Sequence, residues 1–443
     1  MALRETSQQT LADCDVAIVG AGPAGSATAI ACARGGLDVL LLDRATFPRP
    51  KPCGDCLSPE SNRLLDELGV LDAILDERPA RLEGWRIVSP DGHAFEGRFR
   101  DFVGEDTRVR YALAVSRDRL DTVLLHAARA AGARFHDDAH VVSIRAEDGN
   151  GAGLISGTAG HRAFTIRART IVGADGLRSV VARRAGMTRI AGKRLRKVSL
   201  TAHVTGIRGP HGMGEMHVAD GLCLGLAPVE SWGQDTRPLA RGIAYNVTLV
   251  ADAVRYGRAL AAGPSDFFLG AVRGFRGLRH RLGRLQPIGP EGRGRDGWLL
   301  RSGPFDAPTR RVTAGNVALV GDAAGYYDPF TGQGIYQALA GAERLAAAIT
   351  QAHRDRVPVE AALRAYARDL RRLLRGPRAL QHVIEIVLSR PRIADRATAW
   401  LADRPGAIHA LLATTGDLAP VRSLFAPVTL RALTRSTRRH STT

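Results

Sequence analysis

Gly20-Ala21-Gly22-Pro23-Ala24-Gly25 follows the apolar run Asp15-Val16-Ala17-Ile18-Val19 and opens onto Ser26-Ala27-Thr28-Ala29-Ile30-Ala31. A second apolar run, Val39-Leu40-Leu41-Leu42, ends in Asp43. The order is strand, glycine turn, helix, strand, acid, and each part has a physical task in a dinucleotide site. Gly20 permits the tight turn, Gly22 lets the backbone approach a pyrophosphate, and Gly25 lets the helix pack closely on the strand. The helix N-terminus offers free N–H groups and partial positive charge to phosphates. Asp43 lies roughly 20 residues on, where an acid accepts from a ribose hydroxyl.

A chain of 443 residues buries a large core and holds about two domains. Its 45% hydrophobic and 24% charged content is that of a globular protein. Val16 to Ala33 carries no charge, but its Gly, Pro and Ala content makes a poor membrane span. Asp13 and Asp15 stand where a secretory leader carries basic residues, so a cytoplasmic protein is expected. The net charge of +18 is almost all arginine, since Lys51, Lys193 and Lys197 are the only lysines. Biased arginine usage explains it, or attraction to an anionic membrane face. Nucleic acid is not expected as a partner, because no recognised module appears and aromatics are only 5%. The odd set Cys14, Cys32, Cys53, Cys56 and Cys223 argues against a disulfide framework.

Beyond a loosely held arm at 1–12, the chain crosses between two domains more than once. Phe47 to Gly54 is a Pro-rich loop and Ser61 to Leu68 reads as a helix. Residues 83–113 alternate like strands around a Pro90-Asp91-Gly92 turn, and Arg117 to Ala131 is an amphipathic helix. Val141-Val142-Ser143-Ile144 and Phe164-Thr165-Ile166-Arg167 read as strands flanking a Gly-rich hairpin at 149–160. Residues 198–300 contain strand-like runs and an Arg-rich helical stretch near 252–284. A helix is expected from Ile335 to about Thr350. The C-terminal helical patterns are expected to break at Gly376-Pro377, Pro391 and Pro405.

Two further segments carry chemistry. One is Gly173-Ala174-Asp175-Gly176-Leu177-Arg178-Ser179-Val180-Val181-Ala182-Arg183. The other is Gly321-Asp322-Ala323-Ala324-Gly325-Tyr326-Tyr327-Asp328-Pro329-Phe330-Thr331-Gly332-Gln333-Gly334-Ile335. With the first glycine motif, this set resembles the flavoprotein superfamily of p-hydroxybenzoate hydroxylase. Pro52-Cys53-Gly54-Asp55-Cys56-Leu57-Ser58-Pro59 narrows the likeness, since it resembles the Lys-Pro-Cys-Gly loop of geranylgeranyl reductases.

The resemblance implies an α/β fold: a Rossmann-like FAD-binding domain, an inserted β-sheet substrate domain and a helical C-terminal region. The expected divisions are 1–82, 114–197 and 301–356 for FAD, 83–113 and 198–300 for the substrate sheet, and 357–443 for the helices. FAD is the implied cofactor, with NAD(P)H as a transient donor. The implied FAD-binding residues are Gly20, Gly22, Pro23, Ala24, Gly25, Asp43, Arg44, Arg117, Asp175, Gly176, Asp322, Gly325, Gly332, Gln333, Gly334 and Ile335. Asp322 would take a ribityl or ribose hydroxyl, or cap a helix. The Gly332–Gly334 amides and the helix that follows would stabilise negative charge on reduced flavin.

Cys53 is the candidate catalytic residue, approaching flavin and substrate in family terms. Cys53-x-x-Cys56 leaves open a redox dithiol, a single useful thiol, or packing. No second pair completes a zinc site, and His211, Glu215 and His217 have no metal-ligand spacing known to us, so no metal is expected. The resemblance implies a lipophilic small-molecule substrate and reduction of a prenyl double bond. The alternative on the same fold is NAD(P)H- and O2-dependent hydroxylation of a lipophilic phenol or quinol, and a non-enzymatic electron carrier is a third class. The aromatic wall of many such reductases is here Gly221-Leu222-Cys223-Leu224-Gly225-Leu226-Ala227-Pro228. Trp85, Trp232, Trp298 and Trp400 are isolated, which disfavours halogenation. The basic C-terminal helices, ending in Arg435, Arg438, Arg439 and His440, could rest on a membrane or form a solvated cap.

Overall fold

The computed structural model describes residues 9–10, 13–101, 108, 110–146, 151–188, 197–209, 212–229, 243–288, 297–305, 309–326 and 330–427. His211, Trp232, Tyr327 to Pro329 and the basic residues after 427 lie outside them, as does most of the 1–12 arm.

The apolar runs of the sequence become the centre of a nine-stranded sheet. Val317–Leu319, Arg162–Gly173, Cys14–Val19, Val39–Leu42 and Arg134–His136 lie side by side and parallel. Val16 pairs with Val39 and with Thr170, and Val172 pairs with Ala318. Helices cover this sheet, so its strands are nearly all apolar rather than alternating. Pro23–Arg34, built of small residues, packs against both Arg117–Ala130 and Gly334–Arg354. The strands Ala139–Arg145, Gly153–Ala159 and Arg162–Gly173 form an antiparallel extension. Gly153–Ala159 corrects the expected hairpin at 149–160: its Ile155 is fully buried and pairs with Ile166, so the segment extends as a strand.

A second, eight-stranded sheet runs in the order Leu282–Ile288, Lys197–Ile207, Ala244–Asp252, Leu222–Val229, Met213–Ala219, Gly84–Val88 and Ala94–Arg98, with Leu300–Ser302 also on Lys197–Ile207. The Gly84–Val88 and Ala94–Arg98 hairpin joins it from an earlier part of the chain, through a parallel pairing with Met213–Ala219. In the centre the side chains alternate. Leu200, Ala202, Val204, Val247 and Leu249 meet Phe268 and Val272 of the helix Pro264–Gly274. Ser199, Thr201, His203, Asn246 and Thr248 alternate with them and are also buried. A polar face hidden from water needs partners, and it finds them at the boundary with the first sheet.

The helix Val359–Leu388 lays Leu363, Tyr366, Leu370 and Leu374 inward, and the Tyr366 hydroxyl donates to Leu319 O at 2.7 Å. It runs through Gly376-Pro377, where the sequence predicts a break. Proline costs a helix one hydrogen bond and a steric conflict; the buried stripe resumes at Gln381, whose Nε2 donates to Thr331 Oγ1 at 2.7 Å and anchors the far half. Pro391 and Pro405 do open new helices, Pro391–Ala402 and Pro405–Thr415. Both pack on Ala94–Arg98, so the C-terminal region touches both sheets. No helix among the described residues is long and apolar enough to cross a membrane.

Candidate functional site

The glycine turn has the geometry its sequence implies. Gly20 has φ +105°, and a Cβ there would lie 2.4 Å from Ala174 O. A Cβ on Gly25 would lie 1.8 Å from Gly20 O. Ala174 N donates to Val19 O at 2.8 Å, which seats the Asp175-Gly176 segment over the turn. Asp43 Oδ2 accepts from Ala21 N at 2.8 Å and Oδ1 from Ala45 N at 2.9 Å, so the acid braces the turn itself.

Gly22 faces three cations. A Cβ there would lie 3.7 Å from Arg117 Nη2, 3.8 Å from Arg49 Nη2 and 4.0 Å from Lys51 Nζ. Arg117 is buried and grips Asp121 with Nε and Nη2, each at 2.8 Å, and Arg49 Nη1 approaches the same carboxylate at 3.2 Å. It is therefore a fixed group rather than a solvated helix charge. Burial lowers the Lys51 pKa and the charge of Arg117 lowers it further, while Asp322 opposes both. Like charges gathered at a helix N-terminus are relieved by an anion. The Pro23–Arg34 helix opens there, with Gly22 as its cap residue. This concavity, its cations and its missing Cβ fit the diphosphate of FAD.

One cleft collects most of the residues singled out in the sequence. Gly22, Pro23, Ala24, Cys53, Arg117, Gly176, Asp322, Gly332, Gly334 and Ile335 line it. Burial pushes the Asp322 carboxyl up, against the lowering charges of Lys51 and Arg117. Gly20 and Gly25 shape the turn behind the wall. Five others do not line the cleft. Asp43 is occupied with the turn and Arg44 is exposed. Asp175 Oδ2 accepts from Val180 N and Val181 N, anchoring the short helix Val180–Arg184, and its Oδ1 is buried without a partner. Gly325, at φ +123°, lies against Arg378. The Gln333 side chain turns away to Thr414 O and Asp417, leaving its loop to face the cleft through backbone.

Residues 51–54 of the Pro-rich loop also line the cleft. Cys53 and Cys56 both line the cleft, and the Cys53 thiol lies beside Arg117. Burial pushes the Cys53 thiol up and Arg117 draws it back, with a net rise that keeps the proton on Sγ. Glu215 and His217 pair at 3.1 Å, with Arg281 on the same carboxylate. No group of three or more metal-ligating side chains gathers among the described residues.

The sequence reading missed Arg49, Lys51, Ser199, Thr201, Thr248, Ser302 and Phe305, which face Gly22 or line the cleft. Lys51 carried a signal: it is one of three lysines in a chain rich in arginine, within the Pro-rich loop. The serines and threonines carried none, because their meeting depends on strand register.

A family model described as an FAD binding domain matches residues 13–236. Conditioned medium factor receptor 1 of Dictyostelium discoideum is 28% identical over 349 residues, covering 77% of this chain and 64% of the receptor. Menaquinone reductase of Mycobacterium tuberculosis is 37% identical over 183 residues, 39% of this chain and 40% of that protein. The chain thus spans less than two thirds of the length of these relatives. The chloroplastic geranylgeranyl diphosphate reductase of Oryza sativa subsp. japonica is 28% identical over 399 residues, 86% of this chain and 76% of that protein. Among solved structures, a flavoprotein/dehydrogenase from Cytophaga hutchinsonii superposes with a TM-score of 0.77 at 17% identity, covering 95% of this chain and 96% of that one. That likeness is one of fold.

Proposed function

Because the chain belongs to the FAD binding domain family, we propose that this FAD-dependent oxidoreductase reduces a carbon–carbon double bond of a prenyl or similarly lipophilic substrate. The observation that carries the reading is the Cys53 loop, which puts a protonated thiol in the same cleft as the glycine turn and the three cations. The relatives named for menaquinone and geranylgeranyl diphosphate reduction support the substrate class. When bound, FAD supplies a two-electron carrier that takes electrons from a donor, by this reading NAD(P)H, and passes them on as hydride.

The chain's own residues do the rest. Lys51, Arg49 and Arg117 neutralise the diphosphate, and the missing Cβ of Gly22 lets it approach. Asp322 holds a hydroxyl of the cofactor, and the Gly332–Gly334 backbone with the helix Gly334–Arg354 offers N–H donors to negative charge. Cys53 Sγ holds the proton that completes the addition: one π bond is lost, two C–H bonds form, and water reprotonates the thiol. Phe305, Tyr326, Leu177 and Ile335 supply the cleft with apolar surface for a lipophilic substrate.

Product analysis tests this. The FAD-loaded protein, supplied with dithionite and a panel of prenylated quinones and lipids, is expected to yield products heavier by two hydrogens. Cys53→Ser is expected to retain FAD and turn over more slowly. A product heavier by an oxygen atom, formed only in air with NAD(P)H, would establish hydroxylation instead.

A further inference from the structure

Asp55 is a non-glycine residue in left-handed backbone, at φ +58°, and it is almost wholly buried. Both conditions cost free energy: the backbone is uncommon for residues with a Cβ, and a buried carboxylate needs compensating partners. The partners come from the second sheet. His203 Nε2 and Asn246 Nδ2 each lie 2.7 Å from Asp55 Oδ2. Asn246 Nδ2 also donates to Cys53 O at 2.9 Å, and Thr248 Oγ1 reaches the same carbonyl at 3.4 Å. A primary amide has two N–H donors, and Asn246 spends one on each end of the Cys53-Gly54-Asp55 turn. His203 and Asn246 are direct cross-strand partners, as are Thr201 and Thr248, so the polar face is in register under the loop. On the other side, Val115 N donates to Asp55 O at 2.9 Å. With its carbonyl drawn to the sheet, Cys53 presents its thiol to Arg117 and the cleft.

We infer that Asp55, His203 and Asn246 are positioning residues: a buried clamp that locks the Cys53 loop of the cofactor domain onto the substrate sheet and aims the thiol. They touch the reacting groups only through Cys53. The effect on turnover rests on the proposed reductase reading, whereas the placement of the thiol does not.

Two readouts on the full-length, FAD-loaded protein separate these. The first is the alkylation rate of Cys53 by N-ethylmaleimide, followed by peptide mass analysis. The second is the split between kcat and KM for prenylated quinone reduction. Asp55→Gly tolerates the backbone conformation but deletes the carboxylate, and Asn246→Leu deletes both amide donors. Each is expected to speed Cys53 alkylation roughly tenfold, the scale set by losing a buried hydrogen bond. Each is expected to lower kcat with KM little changed and FAD retained. Asp55→Asn keeps one acceptor and a side chain suited to left-handed backbone, and should fall between them and the native protein. It serves where the harsher variants lose FAD or melt early. Native alkylation and native kcat in folded Asp55→Gly and Asn246→Leu would overturn the clamp. If the native protein reduces no prenylated quinone, the proposed function fails, and alkylation alone still decides the clamp.

Discussion

Lys51 shows how a single side chain reports on a group that binds beside it. Its ammonium sits within reach of Gly22 and Gly176, beside Arg49 and Arg117, in a wall where burial and like charge both disfavour its protonated form. Such an arrangement is stable with an anion between the cations and strained without one. Lys51→Met keeps the length of the stem and removes the charge. The expected result is FAD affinity weaker by roughly tenfold to a hundredfold, the range for losing one charge-assisted hydrogen bond. Flavin fluorescence titration measures it, and native affinity in the variant would remove Lys51 from the cofactor site. At this scale the sequence was only partly legible. The geometry of the glycine turn could be read because its chemistry is local, and Asp322 does line the cleft. The side-chain partners of Asp175 and Gln333 could not be read: one residue caps a helix and the other reaches the C-terminal segment.

At the scale of elements, the second sheet separates two jobs by the period of a strand. Leu200, Ala202 and Val204 of Lys197–Ile207 build an apolar core with Phe268, while the alternating His203 meets the Cys53 loop through Asp55. Elsewhere in that sheet a charge cluster ties Met213–Ala219 to Arg281, just ahead of Leu282–Ile288: Glu215 accepts from Arg281 at 2.6 and 2.5 Å and lies 3.1 Å from His217. Burial alone would raise the Glu215 pKa, but the hydrogen bonds from Arg281 and His217 hold it down at about 2. A depressed carboxyl contributes stability above its unfolded value near 4.5, and that contribution fades as pH falls toward about 2. Denaturant midpoints measured from neutral pH to about pH 3 should therefore fall more steeply in the native protein than in Glu215→Gln. Equal slopes would show that the cluster contributes nothing to acid stability. Breaking the pair leaves Arg281 without its carboxylate, so the variant is also expected to be less stable at neutral pH.

For the whole molecule, the unit from Cys14 to Leu42 and its glycine turn were readable, because strand, turn, helix and strand there follow one another without interruption. The second sheet was readable as strands but not as an order, since its hairpin Gly84–Val88 and Ala94–Arg98 joins strands far away in the chain. The Asp55–His203–Asn246 contact depends on that order and on register, so no local pattern announced it. Gly376-Pro377 misled for the opposite reason: a strong local signal was overridden by packing on either side. What emerges is a cleft whose glycine turn opens from the first sheet, whose thiol loop leads into the separate strand Cys56–Leu57, and whose hydroxyls Thr201 and Thr248 belong to the second sheet. The central claim is that this cleft passes electrons to a double bond without oxygen. The most direct measurement mixes the anaerobically reduced, FAD-loaded protein with a prenylated quinone in a stopped-flow spectrometer and collects the product. The account predicts that the oxidised flavin absorbance returns without air, with one product molecule, richer by two hydrogens, for each flavin. Absorbance that returns only on admitting oxygen, with a product that has gained an oxygen atom, would contradict it.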